Sequence, residues 1–163
     1  MSWLGPLRSS STSPSPTTTP TKASRHEPGE RVGNMRDIVA SIHPRHAQAI
    51  LNGTKTIELR KRPPGCGELI DRMYIYETAP TSLVVGRVEV GAIVRAVPES
   101  FWTHYGARTG VSEAEFFEYF GGAVEASGIE IGFPRRYARP YPIAELGLTR
   151  PPQSWCYVPG VRS

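Results

Sequence analysis

Gly53-Thr54-Lys55-Thr56-Ile57-Glu58-Leu59-Arg60-Lys61-Arg62 is the stretch on which the reading of this chain turns. From Lys55 to Arg60 it alternates strictly, with Ile57 and Leu59 on one side and Thr56, Glu58 and Arg60 on the other. That is the period of a strand with one buried face. Glu58 and Arg60 then project from the same side, about 7 Å apart, with Thr56 beside them and Lys55 at the strand's mouth. A solvated face with ordinary charge pairing explains the pattern as well as a site does. Placement favours the site, because the polar face follows a helix end and runs into the basic, proline-rich loop Lys61–Gly67. Thr, Glu and Arg offer donors and acceptors to a base edge, and Lys55, Lys61 and Arg62 can hold phosphate.

Upstream, Ile38–Ile42 reads as a strand and 43–53 as a short helix. Pro44 suits its first turn, Ala47, Ile50 and Leu51 share a face, and Gly53 supplies the stop. Downstream, 73–78 and 84–95 read as strands, the second able to bend at Gly86 and Gly91. Residues 98–104 allow one or two helical turns. Ser112-Glu113-Ala114-Glu115 is a capping box opening a helix that buries Phe116, Phe117 and Phe120 and stops at Gly121-Gly122. Residues 124–133 and 155–158 return to strand. Bent strands with few helices and many Gly and Pro turns predict an α+β domain over 35–160, a small β-barrel with flanking helices.

Residues 1–34 are different in kind, for half of them are Ser, Thr or Pro. Such a stretch cannot bury enough apolar surface to offset its ordering entropy and is expected to be disordered. Two accounts of it stand: a flexible tail, or a stretch preceding a true start at Met35. The 163 residues allow one domain of ordinary size, and the 39% hydrophobic content predicts a packed core. No run approaches the ~20 apolar residues of a membrane helix, and without a basic flank leading into a long apolar run a secretory signal is not expected. Cys66 and Cys156, ninety positions apart, form neither a disulfide framework nor a zinc ribbon, which suits a reducing, cytoplasmic setting. A net charge of +4 permits a polyanionic partner without requiring one. Sixteen of the nineteen basic residues are Arg, most simply a genome-wide bias, so a Lys marks a place where Arg does not serve.

Several segments in order carry a resemblance: Ser41-Ile42-His43-Pro44, Ile50 through Arg60, Tyr74-Ile75-Tyr76-Glu77-Thr78-Ala79-Pro80, Val84 through Val90, Phe116 through Phe120, Ile129-Glu130-Ile131, and Pro151 through Tyr157. Together they resemble the ASCH domain family over residues 36–158. The resemblance implies a PUA-like barrel with a cleft beside the Gly-x-Lys-Thr strand. It also implies a role in binding RNA or a nucleotide, often in regulating translation or transcription. The family's lysine and arginine map onto Lys55 and Arg60, and Gln153 and Ser154 match its closing motif. Some relatives are amidohydrolases on acetylated cytidine that use a Lys, a Thr and a Glu. Lys55 matches that lysine, but Glu58 stands where the threonine would be, and a carboxylate does not replace a hydroxyl nucleophile. Glu113 and Glu115 lie in the broad region of the acid. Other relatives are linked to RNA cleavage.

The expected ligand site is therefore Lys55, Thr56, Glu58, Arg60, Arg62, Tyr76, Gln153 and Ser154, with Lys55 and Glu58 as catalytic candidates. Tyr74 and Tyr76 share a strand face and can stack a base or pack the core. Arg135, Arg136 and Arg139 form a second basic cluster, either a solvated turn or a track for an RNA backbone. His43 and His46 lack a third metal ligand, so neither a metal nor a cofactor is expected. The expected partner is RNA or a nucleoside or nucleotide, with no membrane. A nucleoside hydrolase is the competing function, and a protein adaptor working through the aromatic helices a weaker third. Oligomeric state is not encoded in any pattern here.

Overall fold

The computed structural model describes residues 35–65 and 67–160, so the expected tail and Cys66 lie outside the described residues. Its elements run β1 (Arg36–Ile42), α1 (Pro44–Leu51), β2 (Ile57–Leu59), β3 (Ile70–Glu77), β4 (Leu83–Ala96), α2 (Pro98–Tyr105), α3 (Glu113–Tyr119), β5 (Ala126–Tyr141) and β6 (Trp155–Tyr157). Short 3₁₀ turns cover Gly106–Arg108 and Ile143–Leu146. The caps are those the residue types dictate. His43 caps α1 with Pro44 in its first turn, and Ser112 and Glu115 close a reciprocal capping box on α3.

The strands form one mixed six-stranded sheet in the order β2-β5-β4-β3-β1-β6. β1 and β3 are parallel, with α1 in the connection between them, and the other pairs are antiparallel. The sheet is mixed with helices, as expected, but it is not closed. β2 and β6 remain its two edges, and no ladder joins them. Side chains do so instead. The Arg60 guanidinium, just past β2, donates to the Ser154 carbonyl (3.2 Å) and hydroxyl (3.0 Å) just before β6, and to the Ser41 carbonyl of β1 (3.1 Å). Trp155 Nε1 in turn donates to the Arg62 carbonyl at 2.8 Å.

Three apolar clusters fill the domain. Ala47, Ile50 and Leu51 of α1 lie on Ile38, Met73, Ile75, Val85 and Val88, across one face of the sheet. Gly86 makes that contact possible, because a Cβ there would stand 2.5 Å from the Arg135 carbonyl and 2.7 Å from Leu51. Phe101, Phe116 and Phe120 pack α2 and α3 against Ile57 and Leu59. Val39, Tyr76, Val84 and Ile143 form the third cluster. β5 extends well past the strand expected over 124–133, so Arg135 and Arg136 lie on a paired strand, in register with Arg87 and Gly86, and not in a turn.

Candidate functional site

Between α1, β2 and α3 lies a cleft of about 300 Å³, at the small end of ligand pockets. It is lined by backbone and side chains of Ser41–His43, Arg45, His46, Lys55, Glu58–Arg60, Val111, Glu115 and Tyr119. Lys55 and Glu58 reach it together because the pleat starts only at Ile57. Ahead of that, the chain leaves α1 in an irregular segment that turns Lys55 inward and Thr56 away.

Lys55 is 3% exposed. Its ammonium donates to the Thr109 carbonyl and stands 3.4 Å from Glu58 Oε2. Gly110, at φ +70°, lets the 106–111 loop lie on the lysine stem, where a Cβ would come within 3.3 Å. Burial pushes the Lys55 amine below its ordinary range, and Glu58 partly restores it. The other Glu58 oxygen accepts from Arg60 at 2.9 Å, so one carboxylate is held between two cations. His46, also in the lining, is lowered first by burial and then by the Lys55 charge. Two nitrogens of the lining, His46 Nδ1 and Arg60 Nε, are buried without a protein partner. Such groups are costly to leave dry and are satisfied by a ligand oxygen or by water.

At the rim, Arg45 pairs with Glu115 at 2.8 Å. That contact and the capping hydrogen bonds hold the Glu115 carboxyl down to about 2, the backbone N–H of Ser112 contributing most. Lys61 stands over the Tyr119 ring, 4.8 Å from its centre.

The expected residues thus divide. Lys55, Glu58 and Arg60 meet in the cleft, and Ser154 holds Arg60 from behind. Thr56 does not join them: its hydroxyl accepts from Arg108 at 3.0 Å. Arg62 is exposed and contributes its carbonyl to Trp155. Tyr76 is buried in the third cluster beside Val84, which settles the core alternative for it. Gln153 lines a separate proline-rich hollow with Arg150, Pro151 and Pro152. On the far wall, the sequence places Glu115 only in the broad region of an acid and gives His46, Val111 and Tyr119 no ligand role. The helix spacing of His43 and His46 is the other legible hint of this wall.

A mixed α+β domain with a buried lysine at the floor of a cleft is thus the class defined by fold and site together. Comparison with known proteins agrees. Residues 41–130 match the ASCH domain family. The chain is 32% identical over 127 residues to the ASCH domain-containing ribonuclease of Zymomonas mobilis, covering 76% of this chain and 84% of that protein. The crystal structure of ASCH from Zymomonas mobilis superposes with a TM-score of 0.69 at 30% identity, over 76% of this chain and 88% of that one. A more distant likeness, 22% over 121 residues, is to large ribosomal subunit protein uL22 of Ureaplasma parvum, of which it covers 39%. The chain belongs to the ASCH domain family.

Proposed function

We propose that this protein binds RNA and seats one nucleotide in the cleft between α1 and α3. The observation that carries the reading is the Lys55 amine, buried at the floor of a concavity the size of a nucleoside and beside a carboxylate fixed by Arg60. Lys55 would meet a phosphate or a ligand carbonyl. Glu58 would accept from a base amino group, its orientation held by Arg60. The unpartnered His46 Nδ1 and Arg60 Nε are further contacts for such a ligand. Regulation of translation or transcription would act through this binding.

Filter binding tests it. Lys55→Met should weaken RNA binding at least tenfold, about 1.4 kcal/mol, whereas Arg150→Ser, an exposed arginine by the proline-rich hollow, should cost little. Equal losses would mean diffuse charge and no pocket.

RNA cleavage is the second reading, favoured by the likeness to a protein named a ribonuclease. A lysine amine lowered by burial and an imidazole lowered by burial share one cleft, and both groups can carry a proton to or from a ligand. Shortened products that vanish in both Lys55→Met and Glu58→Gln would establish it, and binding without products would leave the binding module alone. An amidohydrolase of the Lys, Thr and Glu kind has less to rest on. Thr56 is turned to Arg108, and the Ser41 hydroxyl is committed to the Pro152 carbonyl at 2.6 Å.

A further inference from the structure

On the face of the sheet away from α1, one row crosses three strands: Tyr74 on β3, Arg87 on β4 and Arg135 on β5, each in direct register with the next. Direct partners in a sheet put their side chains on the same side. Met73 and Val88, the residues flanking this row, belong to the cluster under α1, so the row itself faces the other way. Tyr74 and Tyr137 both pack against the third cluster, on the same face, and Tyr137 feels the charges of Arg87 and Arg135.

Two arginines opposite each other in a ladder repel. Among the described residues neither Arg87 nor Arg135 is joined to a carboxylate. Glu89, two residues along β4, is in register with Arg72 and Gly132 and forms no ion pair with either arginine. Beside the row, two β5 residues, Phe133 and Pro134, bulge opposite Val88. Phe133 there is 80% exposed at φ +48°, a left-handed conformation a bulky residue rarely adopts. Beyond the row, residues 137–140 bulge again and carry the exposed Arg139. An uncompensated arginine pair, a third arginine and an aromatic ring pushed into solvent are together complementary to a strand that offers phosphates and bases.

We propose that this reverse face is a second nucleic-acid surface, on which Arg87 and Arg135 hold successive phosphates of a single strand and Phe133 stacks a base. It rests on the RNA reading of the cleft only in taking the strand to be the one whose nucleotide the cleft receives. The strand would pass around β5, so the cleft takes one nucleotide and the reverse face anchors the flanking ones.

The test is fluorescence anisotropy on the full chain, with a labelled RNA of about 20 nucleotides, a DNA of the same sequence, and a trinucleotide. Arg87→Ser with Arg135→Ser should weaken binding of the long RNA about fivefold to tenfold at low salt. It should also lower the slope of log affinity against log salt by about 1.4, two phosphate contacts on a single strand. Arg87→Lys with Arg135→Lys should keep most of the slope, and Phe133→Ala should weaken the long RNA without changing it. Trinucleotide binding should be lost in Lys55→Met and untouched in the reverse-face variants. Arg135→Ser should also melt no lower than the wild type, because it relieves a repulsion, whereas a structural arginine would lower the melting temperature. DNA binding as tightly as RNA would support the surface and place it on phosphate alone. An unchanged slope in the serine pair overturns the proposal while leaving the cleft standing. Loss of the trinucleotide alone, with a wild-type slope for the long RNA, overturns it too. Displacement of the long RNA by polyglutamate of equal charge, at equal concentration, would make the face a site for acidic protein and overturn it as well. Failure of the wild type to bind the trinucleotide, with the salt slope intact, overturns the cleft instead.

Discussion

Glu58 carries an unequal share of the site's electrostatics. It is the shared counter-ion of two nearly buried cations, Lys55 and Arg60. Removing one partner of a buried pair leaves the other charge uncompensated, whereas removing a buried charge that has other cover can be neutral. Glu58→Ala should therefore destabilise the fold by about 3–5 kcal/mol. Lys55→Met, which leaves Glu58 paired with Arg60, should leave the urea midpoint unchanged or raise it even as binding is lost. Equal destabilisation by the two variants would refute this division. His46 sets the acid side. Its folded-state pKa is below the ordinary value near 6.5, so between the two the unfolded chain binds more protons. Its contribution is fully present above about pH 6.5 and is lost as the pH falls through the folded value. The urea midpoint should drop between neutral and mildly acidic pH by less in His46→Gln than in the wild type.

At the scale of elements, the cleft depends on a loop crossing the Lys55 stem. Gly110 combines a left-handed backbone with a Cβ position already 3.3 Å from Lys55. Gly110→Ala should cost about 1–2 kcal/mol from the conformation alone, and it should lower RNA affinity by displacing the amine. A melting curve and a binding isotherm on one sample check both. The elements themselves were legible to differing depths. α1 and α3 announce themselves through Pro44 and through Ser112 with Glu115, because capping is local chemistry. Lys55, Glu58 and Arg60 could be picked out because polar residues of both signs crowd one short strand. Thr56 was misplaced because alternation was extended past the point where pleating begins, at Ile57. Tyr76 shows the limit of strand reading: which face of β3 meets a third cluster depends on Ile143, far along the chain. The far wall of the cleft is brought in by packing of Phe101 and Phe116, which periodicity signals only as core.

For the whole molecule, closure of the sheet was the expectation that changed. Bent, glycine-containing strands do predict curvature, but whether the two edges meet through a ladder or through side chains is decided by long-range register. Here Arg60 and Trp155 span the gap. Arg60→Met should loosen β2 and β6 together, with faster amide exchange at Ile57–Leu59 and Trp155–Tyr157 than at β3 and β4, whose partners are unaffected. Uniform acceleration across all six strands would mean that the residue supports global stability and not this seam. No helix among the described residues is long and apolar enough to cross a membrane.

The clasp and the wall of the cleft are one side chain. A guest that draws the Arg60 guanidinium toward itself must tug on the fastening between the outermost strands, and a tightened fastening must in turn present that guanidinium at a fixed angle. Occupancy and shape are thereby tied at a single atom group, and position 60 has no freedom to drift toward a better fold at the expense of its chemistry, or the reverse.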